Sequence, residues 1–553
     1  MIRSSRRKFL CSLGALGLAT LPRAGRPDDP GGSTSPSGAN FCGAAPQGSP
    51  LFVPGDNAFL GRLRPAGALV RLRAASSGDA AASWALAYTA EREGRRYINP
   101  TFVLQPGERL RVDFDNALPE PTIVHWHGLT VDTRNDGAGL TLVSRGEQYA
   151  YDFEVRNRGG LYWYHPHPHG ATAGQAYRGL FGLIEIEDAD ERTLRSSLDL
   201  QPGRNEIPLV LHDRRPGKDY AASAADQVHG LLGDTVLING TACPYLDVAT
   251  RIYRFRVLNA SNARTYRLAF RTVTGKPIPF MLIGTDGGLL RAPQLCAEAF
   301  LSVAERLDVL LDLSEASVGE TLHLETRAFD PMHMEMPHEA AAVAGGVDQA
   351  AMGHAMPPSA PGAVDHAAMG HGSGFPEGAP RALLELRVRE RLVLGTKLPG
   401  HLSSLPPIDA SGAAERPLRL GYAKGRWRIN DRVFVMGETP IEVKRGSVET
   451  WLIRNYFNSM PHAMHLHGFH FDVLERQTSP EQIAALKVDE RGRLATDLGR
   501  KDTVLVWPGE TVRIAIDFTL PKAASFAGDQ VYMFHCHNLE HEDGGMMLGV
   551  KVS

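Results

Sequence analysis

The chain has 553 residues, which is too many for one hydrophobic core and suggests three or four domains of about 150 residues each. Its net charge of −3 gives no support for binding to nucleic acid or to an acidic membrane surface. After the N-terminus, no apolar run is long enough to span a bilayer. The 57 glycines and 37 prolines are typical of a β protein with many loops.

The N-terminus has the pattern of a bacterial twin-arginine export signal. Arg6 and Arg7 precede Lys-Phe-Leu, a modest apolar run and a small-residue end near Ala24. We therefore expect residues 1–24 to direct the folded protein through the twin-arginine export machinery to the periplasm. Residues 25–49 are rich in Pro, Gly and Ser, and we expect a flexible lead-in there.

Two sequence templates recur in the rest of the chain. The first is an alternating strand that ends in Asn, a short loop and a second strand, and it occurs at 110–129, 253–270 and 450–469. The second is an alternating strand that follows a turn, and it occurs at 145–155, 304–313 and 508–518. Three matched copies predict three homologous β-sandwich domains. We place them at residues 50–190, 200–330 and 382–553, with an insert or linker at 331–381.

Histidines occur in the first and third copies as four His-x-His pairs. The pairs are His125 and His127, His165 and His167, His465 and His467, and His535 and His537. Because residues i and i+2 of a strand share a face, each pair projects two imidazoles to one side. Eight converging imidazoles imply more than one metal ion. The middle copy has Thr265, Tyr266 and Arg267 in the matching place, so we expect no metal ligand there.

The same alternation assigns Cys536 to a second site. If His535 and His537 face the histidine cluster, Cys536 faces the other way. Its candidate partners are His462, three residues before His465, His541, four residues after His537, and Met546, ten residues after Cys536. Two His, one Cys and a weak axial Met are the ligands of a trigonal blue-copper site.

The remaining cysteines do not predict a disulfide framework. Cys11 belongs to the export signal, which leaves Cys42, Cys243 and Cys296, an odd number. In an oxidising compartment Cys243 and Cys296 could pair, although their spacing alone does not establish the bond.

These motifs resemble those of the three-domain multicopper oxidases over nearly the whole mature chain. The motifs HWHG (125–128), YHPHPHG (164–170), HAMHLHG (462–468) and HCHNLEHEDGGMM (535–547) occur in the family's order. Ala463 stands where the family usually has Pro, but this position is not a ligand. The resemblance implies an all-β chain of three tandem cupredoxin-like Greek-key β-sandwich domains. It also implies four copper ions, one type 1, one type 2 and a type 3 pair, with O₂ as the electron acceptor.

The resemblance carries a role to each motif residue. The type 2 ligands are His125 and His465; the type 3 ligands are His127, His165, His167, His467, His535 and His537; the type 1 ligands are His462, Cys536, His541 and Met546. Asp136 and Glu542 match the family's acidic positions, which implies proton delivery to the reduced O₂. His169 does not match a ligand position, and Met547 is expected to point away from the type 1 site.

A Met- and His-rich tract at 331–372 suggests the electron donor. It contains six of the fourteen Met and five His among Ala, Gly and Pro, so it cannot form a packed core. Thioethers and imidazoles bind soft Cu(I), and such tracts occur in the family's periplasmic cuprous oxidases. We therefore expect a periplasmic enzyme that couples Cu(I) oxidation to the reduction of O₂ to water. The implied Cu(I) ligands are Met332, Met334, Glu335, Met336 and Met460.

Other functions fit parts of the sequence. A laccase-like oxidase of phenols and other aromatic donors needs every copper ligand but not the tract. It is favoured by Asn458, because the cuprous oxidases usually have an acidic residue there. A non-catalytic exported cupredoxin scaffold is disfavoured, since such relatives have lost their copper ligands. O₂-dependent turnover would rule out a copper-storage protein.

Overall fold

The computed structural model describes residues 48–55, 57–77, 84–215, 217, 219–333, 374–393 and 398–553. Within these residues the strands form six sheets, which pack in pairs as three β-sandwiches. Each sandwich encloses its own apolar core. The predicted all-β fold of three tandem sandwiches is confirmed. Among the described helices, none is long and apolar enough to cross a membrane.

The first sandwich follows a short strand, β1 (Ser49–Pro50), that pairs with the second sandwich. Its elements are β2 (Arg62–Leu63), β3 (Leu69–Ser76), β4 (Leu86–Arg92), β5 (Arg95–Ile98), β6 (Thr101–Leu104), β7 (Arg109–Asn116), β8 (Val124–His125), α1 (Thr133–Asp136), β9 (Gln148–Glu154), β10 (Gly160–Pro166), α2 (Thr172–Tyr177) and β11 (Gly182–Ile186). The strand orders are β5-β4-β3-β7-β9 and β2-β6-β11-β10-β8.

The second sandwich is entered through helix α3 (Ala189–Leu198). Its elements are β12 (Glu206–Arg214), α4 (Ala224–His229), β13 (Thr235–Ile238), β14 (Thr241–Ala242), β15 (Pro244–Ala249), β16 (Ile252–Asn259), β17 (Tyr266–Thr272), β18 (Pro277–Ile278), β19 (Phe280–Thr285), β20 (Gly288–Cys296), β21 (Ala299–Leu301), β22 (Arg306–Asp312), β23 (Thr321–Thr326) and β24 (Arg381–Glu390). The strand orders are β1-β15-β24-β23-β17-β18, with β21 also on β17, and β14-β13-β12-β16-β22-β19-β20.

The third sandwich carries the C-terminal motifs. Its elements are β25 (Ala414–Ala423), β26 (Arg426–Ile429), β27 (Ile441–Val443), β28 (Val448–Asn455), β29 (His462–Leu466), β30 (Phe471–Gln477), α5 (Glu481–Ala484), a 3₁₀ turn (Ala495–Leu498), β31 (Thr503–Val506), β32 (Thr511–Asp517), a second 3₁₀ turn (Ala524–Phe526), β33 (Gln530–Cys536), α6 (Leu539–Asp543) and β34 (Met547–Val552). The strand orders are β26-β25-β28-β32-β30 and β27-β34-β33-β29-β31.

The two templates become neighbouring strands in all three sandwiches. The first template supplies β7, β16 and β28, and each pairs antiparallel with the second template's strand, β9, β22 or β32. On the other side, each pairs parallel with β3, β12 or β25. In β7 the alternation buries Leu110, Val112 and Phe114 on one face. The repeat in sequence is therefore a repeat in strand pairing.

The Asn that ends each first-template strand fixes the loop that follows. Asn116, Asn259 and Asn455 are fully buried. Each side-chain amide donates two hydrogen bonds, one to a carbonyl of its own loop and one to a carbonyl of a more distant segment. In the first and third sandwiches, these loops lead directly to the histidine strands β8 and β29.

The strand β24 revises one predicted boundary. We placed residues 382–553 in the third domain, with an insert before them. The structure pairs β24 with β15 and β23, so this strand completes a sheet of the second sandwich. The third sandwich begins later, at β25. Sequence reasoning assigned β24 to the domain that follows it, whereas its backbone hydrogen bonds join it to strands that precede the insert.

The suggested pairing of Cys243 with Cys296 is wrong. Cys296 is a free thiol in the core of the second sandwich, where burial raises its pKa to about 11. Cys243 is disulfide-bonded, and its partner lies outside the described residues. The odd number of candidate cysteines left this choice open in the sequence.

Candidate metal centre

The eight histidines of the four His-x-His pairs converge between the first and third sandwiches. All eight side chains are fully buried. Strand pairing sets their meeting point, because His125 is opposite His165 and His465 is opposite His535. The motif alternation and this register together point the imidazoles of both sandwiches into one shared space.

Six of these imidazoles form two groups of three. In one group, Nε2 of His165 lies 3.4 Å from Nδ1 of His127 and 3.4 Å from Nε2 of His537. In the other, Nε2 of His535 lies 3.0 Å from Nε2 of His467 and 3.5 Å from Nε2 of His167. Each group brings three nitrogens from both sandwiches to one point.

The outer ring nitrogens show that lone pairs face each other inside the second group. Nδ1 of His467 donates to the Asp136 carboxylate at 2.8 Å, and Nδ1 of His535 donates to the carbonyl of Cys536 at 3.1 Å. A neutral imidazole carries one N–H, so the two Nε2 atoms that meet at 3.0 Å are both acceptors. Two buried acceptors at this distance fit a shared cation.

The remaining two imidazoles form a third group within the same cluster. His125 donates from Nδ1 to the carbonyl of Asp136 at 2.7 Å, and His465 donates from Nδ1 to the carbonyl of Asp502 at 2.8 Å. Their Nε2 atoms are buried without a hydrogen-bond partner. Buried acceptors without partners are costly, so this pair also fits a metal ion.

Burial keeps the cluster in the form that binds metal. Desolvation lowers the pKa of His165 to about 4 and that of His167 to about 3, and the pKa of each of the other cluster histidines with a resolved shift is also lowered, chiefly by burial. Imidazole binds metals as the neutral base. Imidazoles collected in one buried space in this form have no evident structural purpose without cations.

The two predicted carboxylates lie at this cluster. Asp136 ends helix α1 and accepts from His467, while burial and the nearby Asp132 raise its pKa well above the usual value. Glu542 lies 3.5 Å from Nε2 of His167 and 3.3 Å from Nδ1 of His535. Burial alone would raise the pKa of Glu542, but these imidazoles hold it below its usual range.

Sequence reasoning missed a third carboxylate, Asp502. Its side chain lies 3.1 Å from Nε2 of His127, and its carbonyl accepts from His465. Arg306 of the second sandwich donates to both carboxylate oxygens of Asp502, and also to the carbonyl of Leu161 in the first sandwich at 3.2 Å. A charged pair, Lys501 and Asp502, directly before the apolar strand β31 was the available sequence signal.

A second site surrounds Cys536 in the core of the third sandwich. Its Sγ lies 3.5 Å from Nδ1 of His462 and 3.6 Å from Nδ1 of His541, all three buried. Met546 packs in the same core, and its carbonyl accepts from the backbone N–H of Cys536 at 3.0 Å. Met547 packs in a different cluster, as the alternation predicts. One thiol, two imidazoles and a neighbouring thioether are the donor set of a blue-copper site.

Burial of this second site also favours a cation. Desolvation raises the pKa of the Cys536 thiol to about 12 and lowers that of His541 to about 3. A bound cation stabilises the thiolate, so a buried thiol can lose its proton near neutral pH. His169, which we did not expect to be a ligand, is in none of the metal-binding groups found among the described residues.

The expected Cu(I) ligands are only partly described. Met332 is half-buried and packs against the apolar cluster that contains Ala463, the neighbour of His462. Met460 is only 4 % exposed and belongs to the core around Cys536. It therefore fits a wall of the Cys536 site better than a surface ligand for incoming Cu(I). Met334, Glu335 and Met336 lie outside the described residues.

Comparisons with known proteins agree with this geometry. Residues 93–191 and residues 412–553 each match a family described as "Multicopper oxidase". The crystal structure of McoA multicopper oxidase from the hyperthermophile Aquifex aeolicus superimposes with a TM-score of 0.75 at 32 % identity, covering 92 % of this chain and 100 % of McoA.

Two curated relatives are similar over most of their length. The "Multicopper oxidase mco" of Staphylococcus haemolyticus (strain JCSC1435) is 28 % identical over 462 residues, 82 % of each chain. The "Laccase" of Bacillus subtilis (strain 168) is 29 % identical over 483 residues, 79 % of this chain and 82 % of the laccase. With its cupredoxin-like sandwiches and paired histidine motifs, the chain belongs to the multicopper oxidase family.

Proposed function

We propose that this protein is a cuprous oxidase: it takes single electrons from Cu(I) and reduces O₂ to water. The observations that support this choice of donor are the composition of the Met- and His-rich tract and the position of its first three residues, 331–333. Met332 packs against the cluster that contains Ala463, the residue after His462, and His333 is close enough to His462 to add to the lowering of its pKa by burial. A chain segment rich in soft ligands thus begins next to the predicted point of electron entry.

We assign four copper ions to the described groups. His462, Cys536, His541 and Met546 would hold the type 1 ion, and His125 with His465 the type 2 ion. The groups His127, His165 and His537, and His167, His467 and His535, would hold the type 3 pair. Copper bound there would supply one-electron redox chemistry, and four such ions could together provide the four electrons that one O₂ needs.

Residues of the chain link these sites covalently and place carboxylates beside the histidine cluster. Cys536 lies between His535 and His537 in the sequence, so one residue's backbone links its thiol to both histidine groups. Asp136 bonds His467, and Glu542 lies between His167 and His535. Asp136 is therefore one imidazole away from the space where O₂ would be reduced, and Glu542 borders that space, which supports a role for both in delivering protons there.

A second candidate function is the oxidation of phenols and other aromatic donors. It is favoured by a cavity of about 840 Å³ beside the Cys536 site, whose lining includes His541, Trp427, Tyr422 and Tyr220. Aromatic walls beside the side chain of a predicted type 1 ligand suit a flat organic donor. Similarity to a protein named laccase also supports this alternative.

The proposed place of action is the periplasm. The pair Arg6 and Arg7 before a modest apolar run supports export by the twin-arginine route, which carries folded proteins. The tract's soft ligands would there meet copper before it enters the cytoplasm.

Replacing the only thiol of the second site tests its assignment. In Cys536→Ser, the blue thiolate-to-Cu(II) absorption and oxidase turnover should both be lost, while the histidine cluster still binds copper. Absorption spectra and copper analysis of the purified variant measure both effects, and Cys296→Ser is the matched control. A Cys536→Ser protein that stayed blue would mean that the ligand is misassigned.

The carboxylates are tested by isosteric amides. Asp136→Asn and Glu542→Gln should slow reoxidation of the reduced enzyme by O₂ by about 10²–10⁴-fold, the usual contribution of a positioned acid or base. Reduction of the Cys536 site by donor should remain nearly unchanged. Stopped-flow single-turnover measurements separate the two half-reactions, and reoxidation at the wild-type rate in both variants argues for a structural role.

The two candidate donors are separated by deleting residues 334–372. The deletion should lower kcat/KM for Cu(I) about tenfold or more, because ligands worth at least ~1.4 kcal/mol are lost, whereas phenol oxidation is kept or improved. A length-matched variant in which Leu replaces Met352, Met356 and Met369 should also lose Cu(I) activity, which separates the loss of ligands from the shortening of the chain. All assigned copper ligands lie outside the deletion, so the protein should remain blue. Equal losses with Cu(I) and with a phenol would favour the laccase-like function.

Export is tested in cells. Replacing Arg6 and Arg7 with Lys should leave unprocessed precursor in the cytoplasm, because the twin-arginine machinery requires the pair. Fractionation and immunoblotting measure the distribution, with Arg3→Lys as the control. Normal periplasmic processing of the double variant would contradict this route.

A further inference from the structure

Two histidines outside the assigned ligands lie together near the Cys536 site. His229 is the last residue of helix α4, and His333 is in the first residues of the Met- and His-rich tract. Their ring centres are 5.8 Å apart, their ring planes differ by 22°, and both side chains are half-buried. Two imidazoles that share one ion through bonds of about 2.0 Å have ring centres roughly 5–6 Å apart, so the spacing of this pair agrees with one shared ion.

Each of these two histidines is near one imidazole of the Cys536 site. Burial, and then the proximity of His541 and His333, lower the pKa of His462. Burial and His229 likewise act on His541. Each of the outer histidines therefore lies within electrostatic range of a different predicted type 1 ligand.

A short bonded path leads from His229 to the Cys536 site. The carbonyl of Val228, the preceding residue, lies 2.8 Å from Nε2 of His541 and accepts from Nε1 of Trp427 at 2.7 Å. Nδ1 of the same His541 ring lies 3.6 Å from Sγ of Cys536. Covalent bonds and one hydrogen bond thus connect an ion on His229 to the His541 ring, which provides a path for electron transfer.

We propose that His229 and His333 form the site at which Cu(I) binds before it is oxidised, an inference that rests on the proposed cuprous oxidase function. Each bound Cu(I) gives up one electron to the Cys536 site and leaves as Cu(II). Four such events balance one turnover, in which four Cu(I), one O₂ and four protons give four Cu(II) and two waters. The site replaces Met460, which is buried in the core, as the receiving point for the substrate ion.

The test uses the full-length, copper-loaded protein with His229→Ala and His333→Ala combined. One arm reduces the protein anaerobically and measures how many further Cu(I) ions it holds against a chromogenic Cu(I) chelator. The other arm compares kcat/KM for Cu(I) with kcat/KM for 2,6-dimethoxyphenol. His401→Ala, which removes an exposed imidazole elsewhere, is the control, and His229→Met with His333→Met restores soft ligands.

The double alanine variant should hold about one Cu(I) fewer, and the ratio of kcat/KM for Cu(I) to that for the phenol should fall about tenfold. The variant with His229→Met and His333→Met should recover much of the Cu(I) binding and of the kcat/KM ratio. His401→Ala should match the wild type in both. Unchanged Cu(I) binding and an unchanged ratio would overturn the proposal.

The binding arm keeps this proposal separate from the proposed function. If the wild-type protein oxidises phenols but not Cu(I), the cuprous oxidase function fails and binding alone decides the site. Loss of one Cu(I) in the double alanine variant then still supports a copper site at His229 and His333. Cu(I) binding at the wild-type level in the double alanine variant would rule out the site as well.

Discussion

The arrangement of the metal centre depends on two aspartates that hold histidines crosswise. Asp136 of the first sandwich binds His125 of its own sandwich through its carbonyl and His467 of the third through its carboxylate. Asp502 of the third sandwich binds His465 of its own sandwich through its carbonyl and contacts His127 of the first through its carboxylate. Each aspartate thus fixes one imidazole on each side of the junction, which aims the inner nitrogens at the shared space.

The two aspartates differ in their electrostatic surroundings. Arg306 from the second sandwich bonds both carboxylate oxygens of Asp502, and although burial opposes it, this charge holds the pKa of Asp502 low. Asp136 has Asp132 nearby, and burial with that neighbour raises its pKa. The second sandwich, which supplies none of the assigned copper ligands, therefore contributes to the cluster by neutralising Asp502 and by bonding to Leu161 across the junction.

The sequence predicts those parts of the site that depend on local alternation. In His535-Cys536-His537, the two-residue period of a strand predicts that the thiol faces the core of the third sandwich and that the imidazoles face the histidine cluster. The structure has this arrangement. The three strand-ending asparagines likewise mark equivalent positions in the three sandwiches. These features need no knowledge of distant contacts.

Features that depend on long-range pairing were not accessible in this way. Arg306 and Asp502 are 196 residues apart, and although the charges before β31 mark Asp502, nothing local identifies Arg306 as its partner. Strand β24 returns across an insert to the second sandwich, and Cys243 bonds outside the described residues. The burial of Met460 also depends on the packed core around it, because a Met two residues before a ligand has no fixed exposure in the sequence.

The central claim is that two separate sites hold four copper ions in three electronic environments. Copper analysis combined with electron paramagnetic resonance of the fully oxidised, copper-loaded protein tests it most directly. We predict four copper ions per chain, half of them detectable, as one type 1 signal from the Cys536 site and one type 2 signal from His125 and His465. A protein that holds only one or two ions, or in which every bound ion gives a signal, would contradict the account.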